Sequence, residues 1–190
     1  IKVAIFCNPH NPTGRVWEPW EIQAFVELMV KHDVKIISDE IWSDFIMEGQ
    51  HTPAWSVSEL AKDKVSAMYA CTKTFNLAGL VGAYSVIHND ECRAKCRELA
   101  AQTHYNQPNV LSVHALVGAY NEGGEYVDEL LKVIKSNQQH AYDVMQTWGG
   151  LVKTQKPQGT YVMFLDWTEF CEKRGKTMDE VLQKCVSVGV

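Results

Sequence analysis

The sequence is short of several things, and each shortage excludes something. Positive charge is not in excess: 18 Lys and Arg against 23 Asp and Glu give a formal net charge of −5. With no basic cluster, that argues against nucleic acid as the main partner. No apolar run approaches the roughly 18 residues that a membrane span needs. The six cysteines (Cys7, Cys71, Cys92, Cys96, Cys171 and Cys185) form no CxxC pair and no regular framework. Reduced thiols and a cytoplasmic setting are therefore expected. Cys92 and Cys96 stand one helical turn apart, but no His or second Cys pair completes a metal site, and none is expected. Repeats and low-complexity tracts are missing too. The chain has no initiating Met and no leader-like run. It opens on strand-like IKVAIF and closes on SVGV, as expected of an internal piece of a longer protein.

What is present reads as an ordinary globular composition, 46% hydrophobic and 22% charged. KVAIFCN is a short apolar run closed by turn formers, a buried strand. PHNPTG is a loop, and EPWEIQAFVELMVKH has Pro19 near a first helical turn. DVKIISDEI is a second strand, so the order predicts a βαβ unit with parallel strands. HTPAWSVSELAKDK leads into a short helix, VSAMYACTK is a third strand and LVGAYSVIHN a fourth. Helices follow over DECRAKCRELAAQTHY, over the stretch begun by Pro108, and over GGEYVDELLKVIKSNQQHAYDVMQTW, the last closed by Gly149 and Gly150. LVKTQKPQGTYVMFLDW predicts a strand pair around a Pro/Gly turn, and Thr177 with Glu180 has capping-box spacing.

The fold class is α/β, a mostly parallel sheet sandwiched by helices, followed by the start of a smaller α+β domain. The expected division is residues 1–120, a connecting helix over 121–150, and an incomplete domain over 151–190.

Lys73 is the only charged residue between Val65 and Ile87. A buried ammonium is costly unless it is paired or chemically used. Ligands of doubly wound domains gather at the carboxyl ends of the strands. The NPHNPTG loop, Asp39 and Lys73 all fall there. Singly, each reads as a tight turn, a strand-end acid and a solvent-reaching lysine. Together and in this order they point to a site.

NPHNPTGRVW, ISDEIWSDF and TKTFNLAGL, at these separations, resemble the class I/II aminotransferase superfamily, pyridoxal 5′-phosphate enzymes of fold type I. With the intervening HTP, NPTGRVW and TKTFN resemble its carbon–sulfur β-lyase branch, which includes cystathionine β-lyases. The likeness is dense from Val3 to Asn89 and continues thinly through PQGTYVMFLDW.

The resemblance implies that Lys73 carries the cofactor as a Schiff base and later removes the substrate's Cα proton. Apolar surroundings favour the neutral amine that this chemistry needs. By the same resemblance Asp39 pairs with the pyridinium nitrogen and Asn11 donates to the phenolic oxygen. Glu40 and His10 read as structural. Trp42 stands where many aminotransferases have Tyr, and Val81 where many have a phosphate-binding Arg. Both departures agree with the lyase branch. Thr72 or Thr74 is the candidate for a phosphate contact, while Arg15 and Arg174 match no substrate-binding arginine.

The implied reaction is β-elimination from cystathionine or another cysteine S-conjugate, with an aminotransferase as the alternative. A non-catalytic regulatory domain of the same fold is the alternative of another class. The expected partners are a small amino-acid substrate and a second copy of the chain in a homodimer, with no membrane.

Overall fold

The computed structural model describes residues 1–105 and 107–189. Four strands form one sheet in the order β1 (Val3–Cys7), β2 (Lys35–Asp39), β3 (Val65–Tyr69), β4 (Tyr84–Ile87). β1, β2 and β3 are parallel, and β4 runs antiparallel to β3. Successive strand side chains point to opposite faces, so Phe6, Ile36, Val65 and Ala67 share one face. They form the core with Ile22, Val26, Ala54 and Ala61.

That face is covered by α1 (Pro19–Lys31) and α2 (Glu59–Lys64). α1 starts at Pro19, whose missing N–H costs nothing in the first turn, and Glu21 accepts from the Glu18 N–H at 3.0 Å. Ile22 and Val26, one turn apart, are its buried contacts. The other sheet face is barer: Ile5, on the edge strand β1, is 78% exposed.

The third strand is shorter than VSAMYACTK suggests. It stops at Tyr69, and Cys71–Thr74 close a single helical turn, α3. The Phe75 N–H donates to the Cys71 carbonyl at 3.0 Å, and Asn76 follows at φ 55°. Nor is Tyr69–Ile87 buried throughout, since Val81 is 78% and Tyr84 41% exposed.

Beyond β4 come α4 (Asp90–Thr103), α5 (Val110–Glu122) and the long α6 (Gly124–Gln146). Asn89 and Asn109 cap α4 and α5 by accepting from the Cys92 and Ser112 N–H groups. Gly149 and Gly150 follow α6 with φ of 66° and 75°.

The expected strand pair over 151–167 does not form. Two isolated antiparallel bridges stand there instead, Lys153 with Asp166 and Ile46 with Gly159. Gly159 N–H donates to the Gly14 carbonyl at 2.8 Å and Thr160 N–H to that of Phe45 at 2.9 Å. Residues 157–161 thus spend their backbone on the loops after β1 and β2 rather than on a hairpin partner. α7 (Thr168–Arg174) and α8 (Met178–Ser187) complete the described chain. The capping box of α8 is formed as expected, with Glu180 N–H to Thr177 Oγ1 at 3.2 Å and Thr177 N–H to Glu180 Oε2 at 2.8 Å.

Candidate active site

Parallel register sets the site. Cys7 lies opposite Asp39, and Asp39 opposite Met68. The loop carrying Asn11, the Asp39 side chain and the turn carrying Lys73 therefore leave the same, carboxyl end of the three parallel strands.

Asp39 is half-buried, and its one side-chain hydrogen bond among the described residues is Oδ1 from the Ile41 N–H at 3.2 Å. Asn11 is exposed and its amide has no partner among those residues. Lys73 is half-buried on the α3 turn, not sunk at a strand end. It makes no ion pair among the described residues, and its Nζ lies 5.8 Å from the centroid of the Trp42 indole.

Trp42 is 5% exposed and packs edge-on against Phe45 and Tyr161, at 5.5 and 4.6 Å between centroids. Its Nε1–H makes no hydrogen bond among the described residues, whose fully buried polar side-chain atoms are all satisfied. That donor therefore opens on accessible space. Thr72 also keeps its hydroxyl free among the described residues. The Thr74 hydroxyl is committed, donating to Asp44 Oδ2 at 2.7 Å. Of the two threonines, only Thr72 has a hydroxyl to offer.

Directly behind this set lies one in which everything is used. Glu40 has no exposed surface. Its Oε1 accepts from Ser38 Oγ at 2.8 Å and the Ala54 N–H at 2.9 Å. Its Oε2 accepts from Tyr69 OH at 2.6 Å and meets His51 Nε2 at 2.9 Å. Burial pushes the Glu40 carboxyl up, but hydrogen bonds from His51, Tyr69, Ala54 and Ser38 outweigh it and hold the group below the usual range. Burial, followed by the bond to Glu40, drives the Tyr69 phenol well above its ordinary value. His10 bonds Thr13 Oγ1 at 2.7 Å within its own turn, and Arg15 pairs with Glu21 at 2.7 Å.

The class I and II aminotransferase family model matches residues 1–189. The chain belongs to that family. Among its relatives, the cystathionine beta-lyase PatB of Bacillus subtilis is 34% identical over 185 residues, covering 97% of this chain and 48% of PatB. The pyridoxal 5′-phosphate-bound C–S lyase of Staphylococcus hominis superposes with a TM-score of 0.84 at 30% identity, covering 93% of this chain and 44% of that one. Cystalysin of Treponema denticola, solved with the same cofactor, gives 0.80 at 33% identity, covering 87% and 42%. The chain thus spans about half the length of the relatives it matches.

Several residues of this candidate site escape a motif reading. The Cys7 thiol sits beside both Asp39 and the Asn11 backbone. Burial raises it, and the Asp39 charge adds to that against a hydrogen bond from Asn11. Register alone signals it, because a parallel β1–β2 pair sets Cys7 opposite Asp39. His51, Tyr69 and Asp44 carry no local signature, although HTP does mark the segment that holds His51. Val81, which stands where many aminotransferases have a phosphate-binding arginine, is exposed at φ 44°.

Proposed function

We propose that the protein containing this chain is a pyridoxal 5′-phosphate-dependent carbon–sulfur β-lyase. It cleaves cystathionine or another cysteine S-conjugate to a thiol, pyruvate and ammonia. One contrast carries the reading. An amine, a carboxylate, an amide, an indole N–H and a hydroxyl lie at the carboxyl end of the parallel strands without a full set of partners among the described residues, while Glu40 next to them has all of its own. The family and the cofactor-bound lyase relatives support it.

The residues fit the cofactor by chemistry. Lys73, with no carboxylate paired to it among the described residues, is the amine that anchors an aldehyde. Asp39 keeps one oxygen uncommitted to accept from a ring N–H. Asn11 and Trp42 offer N–H donors to the phenolic oxygen, and the Thr72 hydroxyl is the one available to phosphate. When bound, pyridoxal 5′-phosphate supplies a sink for the electrons left as Cα–H breaks.

Lys73, as a free amine, would take that proton. The Cβ–S bond then breaks and its electron pair leaves with the thiolate, which is protonated to the thiol. Hydrolysis of the remaining three-carbon enamine gives pyruvate and ammonia. The division into 1–120, 121–150 and 151–190 belongs to the same reading, with residues 157–161 as the seam against the first part. So do a cytoplasmic location and a homodimer. No helix of the described residues is long and apolar enough to cross a membrane.

The test is full-length protein given pyridoxal 5′-phosphate and cystathionine. Thiol and pyruvate are expected well above a Lys73→Ala control, and none above it defeats the reading. Amine transfer to a 2-oxo acid without thiol release selects an aminotransferase instead.

A further inference from the structure

The Glu40 network has an unusual property: its hydrogen-bond directions are fixed from outside. Trp17 N–H donates to Asn8 Oδ1 at 3.1 Å, so Asn8 Nδ2 faces the Thr52 carbonyl at 3.3 Å and His51 Nδ1 at 3.5 Å. His51 Nδ1 must then accept, which leaves Nε2 as the protonated nitrogen donating to Glu40. Ala54 N–H can only donate. Both carboxylate oxygens of Glu40 thus face at least one donor that cannot reverse. Only an acceptor on both sides satisfies them, and an amide in either orientation sets N–H against N–H.

The same residues close a ring around Asp39. The Asp39 carbonyl accepts from the Asn8 N–H at 3.0 Å, and the next N–H, that of Glu40, donates to the Met68 carbonyl at 2.9 Å. From Glu40 the ring returns through His51 to the Asn8 side chain. A branch through Tyr69 grips the last residue of β3, four positions before Lys73.

We propose that Glu40 is the positioning residue of this site. By holding the Asn8 loop, the Asp39 peptide and the end of β3 together, it sets the Asp39 carboxylate against the cofactor ring without touching the cofactor. This rests on the reading of the site as one for pyridoxal 5′-phosphate.

The experiment uses full-length protein, with pyridoxal 5′-phosphate as probe, read by titration of its visible absorbance and circular dichroism. Glu40→Gln is expected to weaken uptake about tenfold, the equivalent of one buried polar mismatch, and to change the dichroic band of the cofactor that still binds. In an Asp39→Asn background the same substitution is expected to do far less, because its effect passes through Asp39. Tyr69→Phe, which removes one donor and keeps the ring, is expected to shift the band in the same direction by a smaller amount. It stands in should Glu40→Gln fail to fold, with the same comparison against Asp39→Asn.

Unchanged uptake and band in these variants overturn the positioning role alone, as do losses that simply add to those of Asp39→Asn. Wild-type protein that takes up no cofactor overturns the cofactor reading and the role resting on it.

Discussion

Thr74 Oγ1 donates a 2.7 Å hydrogen bond to Asp44 Oδ2, joining the turn that carries Lys73 to the chain that follows Asp39. Thr74 is 1% exposed, so its hydroxyl has no water to turn to. Thr74→Val keeps the shape and deletes the donor. A hydrogen bond to a charged group contributes about 1.5–3 kcal/mol. A loss of that order is expected as a lower urea midpoint at unchanged slope. Thr74→Ser, which keeps the hydroxyl, is expected to recover most of it.

Lys73 makes the opposite prediction. It is half-buried and makes no hydrogen bond or ion pair among the described residues, so little packing depends on it. Lys73→Ala is expected to alter stability by no more than about 1 kcal/mol. Under the proposed function, turnover is expected to fall at least about 100-fold with the loss of the base. A visible band fixed by borohydride in the wild type is expected to vanish. Lys73→Arg is expected to match it in both respects, because a guanidinium does not give up its proton at working pH.

Much of the fold is legible because its signals are local. β1 and β2 are apolar runs closed by turn formers, Pro19 opens α1, and Thr177 with Glu180 announces α8. What escapes is decided by distant partners. GTYVMF has the composition of a strand, yet Gly159 and Thr160 give their N–H groups to Gly14 and Phe45. ACTK reads on from β3 until Thr74 finds Asp44, 30 positions earlier. The site divides the same way. Asn11, Asp39 and Lys73 each sit in a motif of their own. His51 and Tyr69 gain their meaning only from Glu40, 11 and 29 positions away, and no periodicity encodes such a meeting.

Gly14, the last residue of NPTG, tests the seam with residues 157–161. It is buried at φ 72°, and a Cβ there would fall on Pro157 and lie 2.8 Å from the Gly159 carbonyl. Both the left-handed backbone and the close approach demand glycine. Gly14→Ala is expected to cost about 1–3 kcal/mol and to make the chain near residue 157 more sensitive to limited proteolysis. Gly49→Ala supplies the control. Gly49 shares the positive φ, at 84°, but has open space at Cβ, so it is expected to lose stability without opening the seam.

Glu169 carries the pH prediction. Its carboxylate lies 2.9 Å from Lys153 and 2.6 Å from Lys173, and hydrogen bonds from these two ammonium groups bring it down to about 2 from 4.5. A group depressed on folding stabilises the native state fully above its unfolded value and stops doing so as pH falls through its folded one. The advantage of wild type over Glu169→Gln in thermal midpoint is therefore expected to be constant above about pH 4.5, to shrink on acidification, and to be gone near pH 2. All three groups reach solvent, so 1 M salt, with a Debye length of about 3 Å, is expected to erase most of that advantage at neutral pH. Midpoints of both proteins across pH 2–7, at low and high salt, decide the matter. A difference indifferent to pH and salt would mean that Glu169 acts through packing and not through its charge.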